Sequence, residues 1–400
     1  MALMNVDDAL EQLLSDISVS EVENVSLHNA TARVLAADLV ANRDQPPFRA
    51  SAMDGYAIRA DNVKELPTKL QIIGEVPAGY HFPDAVHNWE AVRIFTGAPV
   101  PEGADTVVMQ EKTERDGAFV TIQQEITKGS NIREAGQDFA TGETLLKKGT
   151  ELTYRHLALA AAMNHAVLPV YKRPVIAILA TGDELVLPGE TPTESQIIAA
   201  NNFAIASFAQ TIGADIMDLG IARDDMTEIS TTIEKAVAAE VDCLITIGGV
   251  SVGDHDLVQE ALKRAGMNLK FWRIAMRPGK PLLAGKLGKT QVLGLPGNPV
   301  SSMTCALLFL QPIIRKMLGK KGPYKITDAV LGSALPENDY RQSYMRARMH
   351  IDKDGRTVAS IFSDQDSSKL SSFAEADCVI IRPPNSPASK VGTPCQIIKL

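Results

Sequence analysis

Acids, hydroxyls and glycines crowd two short stretches of this chain. Thr181-Gly-Asp-Glu184 sets a hydroxyl, a hinge glycine and two carboxylates side by side, and Gly248-Gly-Val-Ser-Val-Gly253 runs into Asp254, His255 and Asp256. A glycine loop that leads into a helix leaves backbone N–H groups free for an anion. Carboxylates in the same loop repel a bare anion, so the pair points to a metal ion or a general base beside a phosphate-like group. Mg²⁺ takes one or two carboxylates and draws its other ligands from substrate oxygens and water. Glu184 and Asp256 would be enough. A third stretch is basic, in a chain whose formal net charge is -8: Arg273, Arg277 and Lys280 lie in Trp272-Arg-Ile-Ala-Met-Arg-Pro-Gly-Lys280. Arginine offers an oxyanion bidentate contacts and lysine a point charge.

Each stretch also has a plain structural reading. The Gly248 loop could be a tight strand-to-helix turn. It is neither a Walker A loop nor a Gly-x-Gly-x-x-Gly loop, because no Gly-Lys-Ser/Thr follows and Val250 stands where a second glycine is required. Ser251 and the two acids favour a site. Thr181 to Glu184 could open a capped helix, and Asp225 is a natural N-cap. In Leu295-Pro-Gly-Asn-Pro-Val-Ser301, Asn298 can cap a helix and Pro299 suits its first position. That helix would point its positive end above the sheet. Ser51-Ala-Met-Asp-Gly55 and Phe95-Thr-Gly-Ala-Pro99 read as turns. His255 could act as a base or be a solvated loop residue.

The elements that must hold these residues follow from the pattern. Residues 1–40 have helical spacing, with a second periodic segment over 27–39. From 56 to 147 short β-rich runs alternate with Gly, Pro and Asp, and helix returns over 150–167. From Pro174 onward apolar strands alternate with helices over 197–212, 226–239 and 300–318, which predicts an α/β domain with a mostly parallel sheet. Ligands of such sheets bind beyond the carboxyl ends of the strands, where the Thr181, Gly248 and Leu295 loops fall. After a linker near 320–323, short strands predict a small β-barrel or sandwich. The expected organisation is a helical domain (1–45 plus 141–172), an inserted β domain (46–140), the α/β domain (173–322) and a C-terminal β domain (323–400).

Bulk properties narrow the class. At 400 residues, 45% hydrophobic and 22% charged, the chain is a globular protein of several domains. Its acidity argues against general nucleic-acid binding. The four cysteines are widely spaced and read as reduced thiols. The acidic N-terminus is unlike a targeting peptide, and no apolar run spans a membrane, so the cytoplasm is expected.

Six motifs stand in the order found in the molybdopterin molybdenumtransferase (MoeA-type) family: Ser51-Ala-Met-Asp-Gly-Tyr-Ala57, Phe95-Thr-Gly-Ala-Pro99, Ala180-Thr-Gly-Asp-Glu-Leu185, Gly248 to Gly253 with Asp256, Arg277-Pro-Gly-Lys-Pro281 and Leu295 to Ser301. The chain resembles that family over almost its whole length, and is similar to the C-terminal part of gephyrin. The resemblance implies four domains, with molybdopterin bound by the α/β one. It implies Mg²⁺-dependent hydrolysis of adenylylated molybdopterin, with molybdate transferred to the dithiolene and AMP released. It carries metal or water-activating roles to Glu184 and Asp256, with Asp225 as a supporting acid. Arg273, Arg277 and Lys280 become anion ligands. Gly249, Ser251 and Gly253 become substrate contacts, and Pro296 and Pro299 shape the pocket. It further implies a homodimer in which Asp54 and Thr96 reach the cleft across subunits, and an upstream molybdopterin adenylyltransferase as partner. Two positions depart from the family pattern. Ala50 replaces a polar residue, and Asp366 replaces a small one in the loop that carries Ser368, a weaker candidate ligand. The competing readings are a scaffold built on the same fold and a phosphoryl-ester hydrolase related to competence-damage proteins.

Overall fold

A computed structural model describes residues 3–249 and 257–400. It opens with one helix, α1 (Val6–Leu14), capped by the Asn5 side chain, which accepts the Asp8 N–H at 2.8 Å. Val6, Ala9 and Leu13 are its buried face. The second helix expected over 27–39 does not form. Only Leu27–Asn29 makes a 3₁₀ turn, and Ala32 sits at φ 61°, a left-handed conformation that ends any helix of L-residues. Val34 and Leu35 are buried all the same. The helical spacing there marked burial, and the backbone achieves it through turns.

The chain divides into two compact units. The smaller comprises Asn24–Thr31 and Ala37–Pro169. Its sheet holds β1 (Gly55–Ile58), β2 (Thr68–Val76), β3 (Glu90–Ile94), β4 (Thr106–Met109), β5 (Thr113–Asp116) and β6 (Phe119–Ile122), in the order β4-β1-β3-β2-β6-β5. Alternate residues fill opposite faces. Ala57, Val92 and Val107 pack on one side, and Tyr56, Ile58, Ala91 and Val108 on the other. A short helix, α2 (Tyr154–Ala162), follows and starts with a capping box between Thr153 and His156.

The larger unit comprises Met1–Glu23, Ala32–Ala36 and Val170–Leu400. Its first layer contains β7 (Val175–Thr181), a two-stranded parallel arm of β8 (Leu185–Val186) and β9 (Ile197–Ile198), then α3 (Asn201–Ile212), β10 (Asp215–Ala222), α4 (Met226–Ala238), β11 (Cys243–Ile247), α5 (Leu257–Arg264) and β12 (Asn268–Trp272). After β13 (Met276–Arg277) come β14 (Leu283–Leu287), β15 (Thr290–Leu295) and α6 (Pro299–Cys305). The main sheet runs β10-β7-β11-β15-β14-β12. Its first four strands are parallel and the last two pair antiparallel. β11 and β15 are buried throughout, as continuous apolar strands of a two-sided sheet must be. Ile176 and Ile178 of β7 join the α1, α3 and α6 side, while Ala177 and Leu179 join the α4 and α5 side. α3 ends at Gly213, φ 118°, the left-handed stop its position predicts. The apolar run over 300–318 is one continuous buried helical rod, wound as a π-helix over Ala306–Leu310 and continuing as α7 (Gln311–Met317). Pro312, with no N–H for the carbonyl four residues back, stands two residues after the π segment.

The C-terminal part is a closed barrel of five strands: β16 (Ile326–Leu331), β17 (Gln342–Ile351), β18 (Thr357–Ile361), β19 (Cys378–Arg382) and β20 (Pro394–Lys399). The order β17-β18-β16-β20-β19 is closed by β17 pairing with β19, and β13 adds to the outer edge of β17. Cys243, Cys305 and Cys378 are buried, Cys395 is partly so, and all four are free thiols. Among the described residues no helix is long and apolar enough to cross a membrane.

Candidate active site

Strands β7, β11 and β15 end side by side at Thr181, Ile247 and Leu295, and a cleft of about 660 Å³ opens beyond them. Glu184, Gly249, Pro296, Pro299 and Ser368 line it, so the structure gathers five of the expected site residues from four separate segments. No helix opens at Thr181. The chain turns at Gly182, φ 144°, where a Cβ would lie 2.3 Å from a Glu184 carboxylate oxygen. The missing side chain is what lets that carboxylate fold over the turn. Gly248 and Gly249 also have positive φ. A Cβ on Gly249 would sit 2.4 Å from Val258 Cγ2, and one on Gly248 2.8 Å from the Thr181 carbonyl oxygen. Close packing therefore accounts for both glycines. Ser251, Gly253, Asp254, His255 and Asp256 lie outside the described residues.

The start of α6 departs from the expected cap. Asn298 occupies the N-cap position but makes no capping bond; its Nδ2 donates to Ser367 Oγ at 3.0 Å. The Val300 N–H donates to the Ser367 carbonyl at 3.0 Å. The helix start thus carries the barrel loop to the cleft. From the other side, Asn201 Nδ2 donates to the Gly297 carbonyl at 2.7 Å. Asp225 does what its position first suggested: Oδ1 accepts the Glu228 N–H at 2.9 Å and caps α4.

A second cleft, about 540 Å³, lies between the α/β layer and the barrel. Arg277 and Lys280 line it and are exposed. The barrel adds Arg341, Arg346 and Arg382, which sequence reasoning missed. Arg341 is paired with Asp339, and Arg382 donates to Ser389 and to the Pro336 and Pro387 carbonyls. Arg346 is different. It is 2% exposed, its Nη2 donates at 3.0 Å to the carbonyls of Asp364 and Asp366, and its Nε is buried with no partner. Burial pulls its pKa down from the ordinary arginine value. A buried guanidinium bonded to carbonyls and facing a cleft favours an anionic ligand. The signal in sequence was its parity with buried Tyr344 on β17.

The two clefts adjoin. Pro281 lines both, and the consecutive residues Ser367 and Ser368 line one each. Asp366 intrudes here: its Oδ1 accepts the Ser368 N–H at 2.8 Å and the Ser368 hydroxyl at 2.7 Å, and these bonds hold its carboxyl below the usual range. Arg273 lines neither cleft. It holds φ 77° and stacks its guanidinium 4.3 Å from the Trp272 ring centre.

In the smaller unit Asp54 and Thr96 meet directly. Asp54 Oδ1 accepts the Thr96 N–H at 2.8 Å and its hydroxyl at 2.9 Å, which depresses the Asp54 pKa, helped by the Arg93 charge. Ser51 Oγ donates to the Met53 carbonyl at 2.6 Å and sets the turn. Among the described residues no three His, Cys, Asp or Glu side chains cluster as a metal cage. Glu184 is exposed beside Asp183, and a carboxylate open to water could serve Mg²⁺, which takes most of its ligands from phosphate and water.

Three family models match consecutive parts of the chain: MoeA N-terminal region (domain I and II) over residues 4–164, probable molybdopterin binding domain over 177–316, and MoeA C-terminal region (domain IV) over 328–400. The chain is 33% identical to a molybdopterin molybdenumtransferase of Haemophilus influenzae, over 95% of this chain and 94% of the relative. It is also 33% identical to one of Bacillus subtilis, over 98% and 93%. Among solved structures, a molybdopterin biosynthesis MoeA protein from Pyrococcus horikosii superposes with a TM-score of 0.86 at 28% identity, covering 100% of this chain and 99% of that one.

Proposed function

This chain belongs to the molybdopterin molybdenumtransferase family, transferases of molybdenum cofactor biosynthesis, and from that premise we propose the following reaction. Its substrates are adenylylated molybdopterin and molybdate. Water adds at the adenylate phosphorus and the phosphoanhydride bond breaks, giving AMP and molybdopterin phosphate; the two dithiolene thiols then bind molybdenum as their protons leave with one molybdate oxygen as water.

The observation that carries this reading is the junction of the two clefts. One is lined by an acid and strand-end loops, and the other by Arg277, Lys280 and the buried Arg346. That division suits two anionic substrates of different size. The basic cleft offers molybdate, a tetrahedral dianion, a guanidinium already stripped of water. The strand-end cleft takes the larger substrate, with Pro281, Pro296 and Pro299 as rigid walls. Glu184 and Asp256 would hold Mg²⁺, which when bound neutralises phosphate charge and polarises water. Glu184 would also orient the attacking water, and Asp225 holds α4 against the same loop region through Asp224, whose N–H meets Asp183 Oδ1 at 3.3 Å. The protein works as a cytoplasmic homodimer in which Asp54, held by Thr96, completes the partner's site. A molybdopterin adenylyltransferase supplies the substrate.

The test is direct. Purified protein with adenylylated molybdopterin, Mg²⁺ and molybdate should yield AMP and active cofactor. AMP without cofactor would mark a hydrolase, and neither product a scaffold. Asp256→Asn should slow AMP release at least about tenfold, near 1.4 kcal/mol of barrier; an unchanged rate would remove Asp256 from the reaction.

A further inference from the structure

We propose that Arg93 is a positioning residue that acts through Asp54: it grips the turn that aims the Asp54 carboxylate and leaves one carboxylate oxygen open for the reaction. The proposal rests on the reading of Asp54 above as an acid that completes the partner's site.

The turn that carries Asp54 is fastened at three points. Thr96 gives Oδ1 its N–H and its hydroxyl. The Gln110 N–H donates to the Asp54 carbonyl at 3.1 Å, and Arg93 Nη1 donates to the Gly55 carbonyl at 3.2 Å. The other arm of the guanidinium, Nη2, donates to Gln110 Oε1. One side chain therefore fastens two successive carbonyls, that of Gly55 directly and that of Asp54 through Gln110. Arg93 lies on β3, opposite Tyr56 of β1 and three residues before Thr96. The same stretch thus supplies the grip on the turn and the donors to the carboxylate. The guanidinium is itself held in place. It lies over the Tyr56 ring at 5.2 Å and over the Phe95 ring at 5.0 Å, and Tyr56 is buried. A planar fork stacked on two rings and bonded at both arms has little freedom to swing.

The charge has a separate use. A cation this close to a carboxylate ordinarily forms an ion pair with it. Among the described residues Arg93 forms none with Asp54, because its donors are turned to Gly55 and Gln110. Asp54 Oδ2 likewise takes no hydrogen bond among them. The two Thr96 donors hold the Asp54 carboxyl below its ordinary range, and the Arg93 charge adds to their effect. The carboxylate is kept ionised while its second oxygen stays uncovered. Sheet pairing alone asks for no charge at this position. A carboxylate that must stay both ionised and accessible gains from one.

Two variants of the full chain test this, Arg93→Met and Gln110→Ala. Methionine keeps an apolar stem against the rings and loses the fork and the charge. AMP release should fall at least about tenfold, with molybdate affinity unchanged by calorimetry because Arg93 touches no substrate. The Asp54 carboxyl should titrate at higher pH than in the wild type in a ¹³C NMR titration, a change that a merely structural role would not produce. Gln110 is exposed, so its truncation spares the sheet and opens half of the grip; AMP release should fall about threefold. That variant decides the matter if Arg93→Met does not fold. Wild-type rates in both variants, an unmoved Asp54 titration in Arg93→Met, or a loss of molybdate affinity equal to the loss of rate would overturn the proposal. Failure of the reading beneath it shows elsewhere: a wild-type rate in Asp54→Asn would remove Asp54 from the reaction, and the proposal with it, even if Arg93→Met still moved the titration.

Discussion

The carboxylates of this protein are set by their immediate donors. Asp54 takes both the backbone N–H and the hydroxyl of Thr96, so its folded pKa lies below the ordinary 3.8. A depressed carboxylate contributes stability that is complete above the unfolded value and lost only as pH falls through the folded one. Asp54 is therefore ionised throughout the neutral range, and no neutral limb of a pH–rate profile should belong to it. Thr96→Val removes one of the two donors. The Asp54 carboxyl should then titrate at higher pH, nearer 3.8, in a ¹³C NMR titration; no movement would mean that the backbone donor and Arg93 suffice. Asp366 is the opposite case, a carboxylate bonded to the Ser368 hydroxyl and N–H where an anion would otherwise be met. Asp366→Gly frees both donors and removes a negative charge. Molybdate should bind about tenfold more tightly by calorimetry, and an unchanged affinity would exclude this loop from the site.

Among the elements, the turn at Gly55 has the least room. A Cβ there would stand 2.0 Å from the Val108 carbonyl oxygen on β4, a backbone atom that cannot swing away. Gly55→Ala must part β1 from β4 or unbend the turn that carries Asp54. Overpacking of this kind costs about 1–3 kcal/mol, so thermal unfolding of the smaller unit should move down. An unshifted transition would show that the sheet absorbs the methyl. The α/β strands were legible because a sheet covered on both faces needs unbroken apolar runs, and β7, β11 and β15 have them. The false helix over 27–39 arose because spacing reports which residues are buried. It does not report the backbone path, which here takes φ 61° at Ala32.

On the scale of the whole molecule, the proposed dimer with shared sites makes a mixing prediction. Chains carrying Asp54→Asn and chains carrying Glu184→Gln should each be inactive alone. Mixed by refolding or coexpression, half of the dimers would be heterodimers with one intact site of two. Activity should then return to about a quarter of the wild-type level in a closed two-fold assembly. No recovery would mean that both acids act within one chain, and a monomeric mass by light scattering would remove the dimer itself.

Local rules determined much in advance. Glycine and proline spacing, apolar runs and turn chemistry specified the α/β layer, the β-rich insert, the C-terminal β module and the family. They also picked out Glu184, Arg277 and Lys280 by charge and Pro299 by its place at a helix start, and the motif resemblance added Pro296. Only the tertiary structure decided that these residues divide between two adjoining clefts. Only it brought in Arg346, and turned Asn298 away from its helix toward Ser367. Those outcomes depend on which distant segments pack together and which polar atoms that packing leaves without partners. No spacing along the chain encodes that.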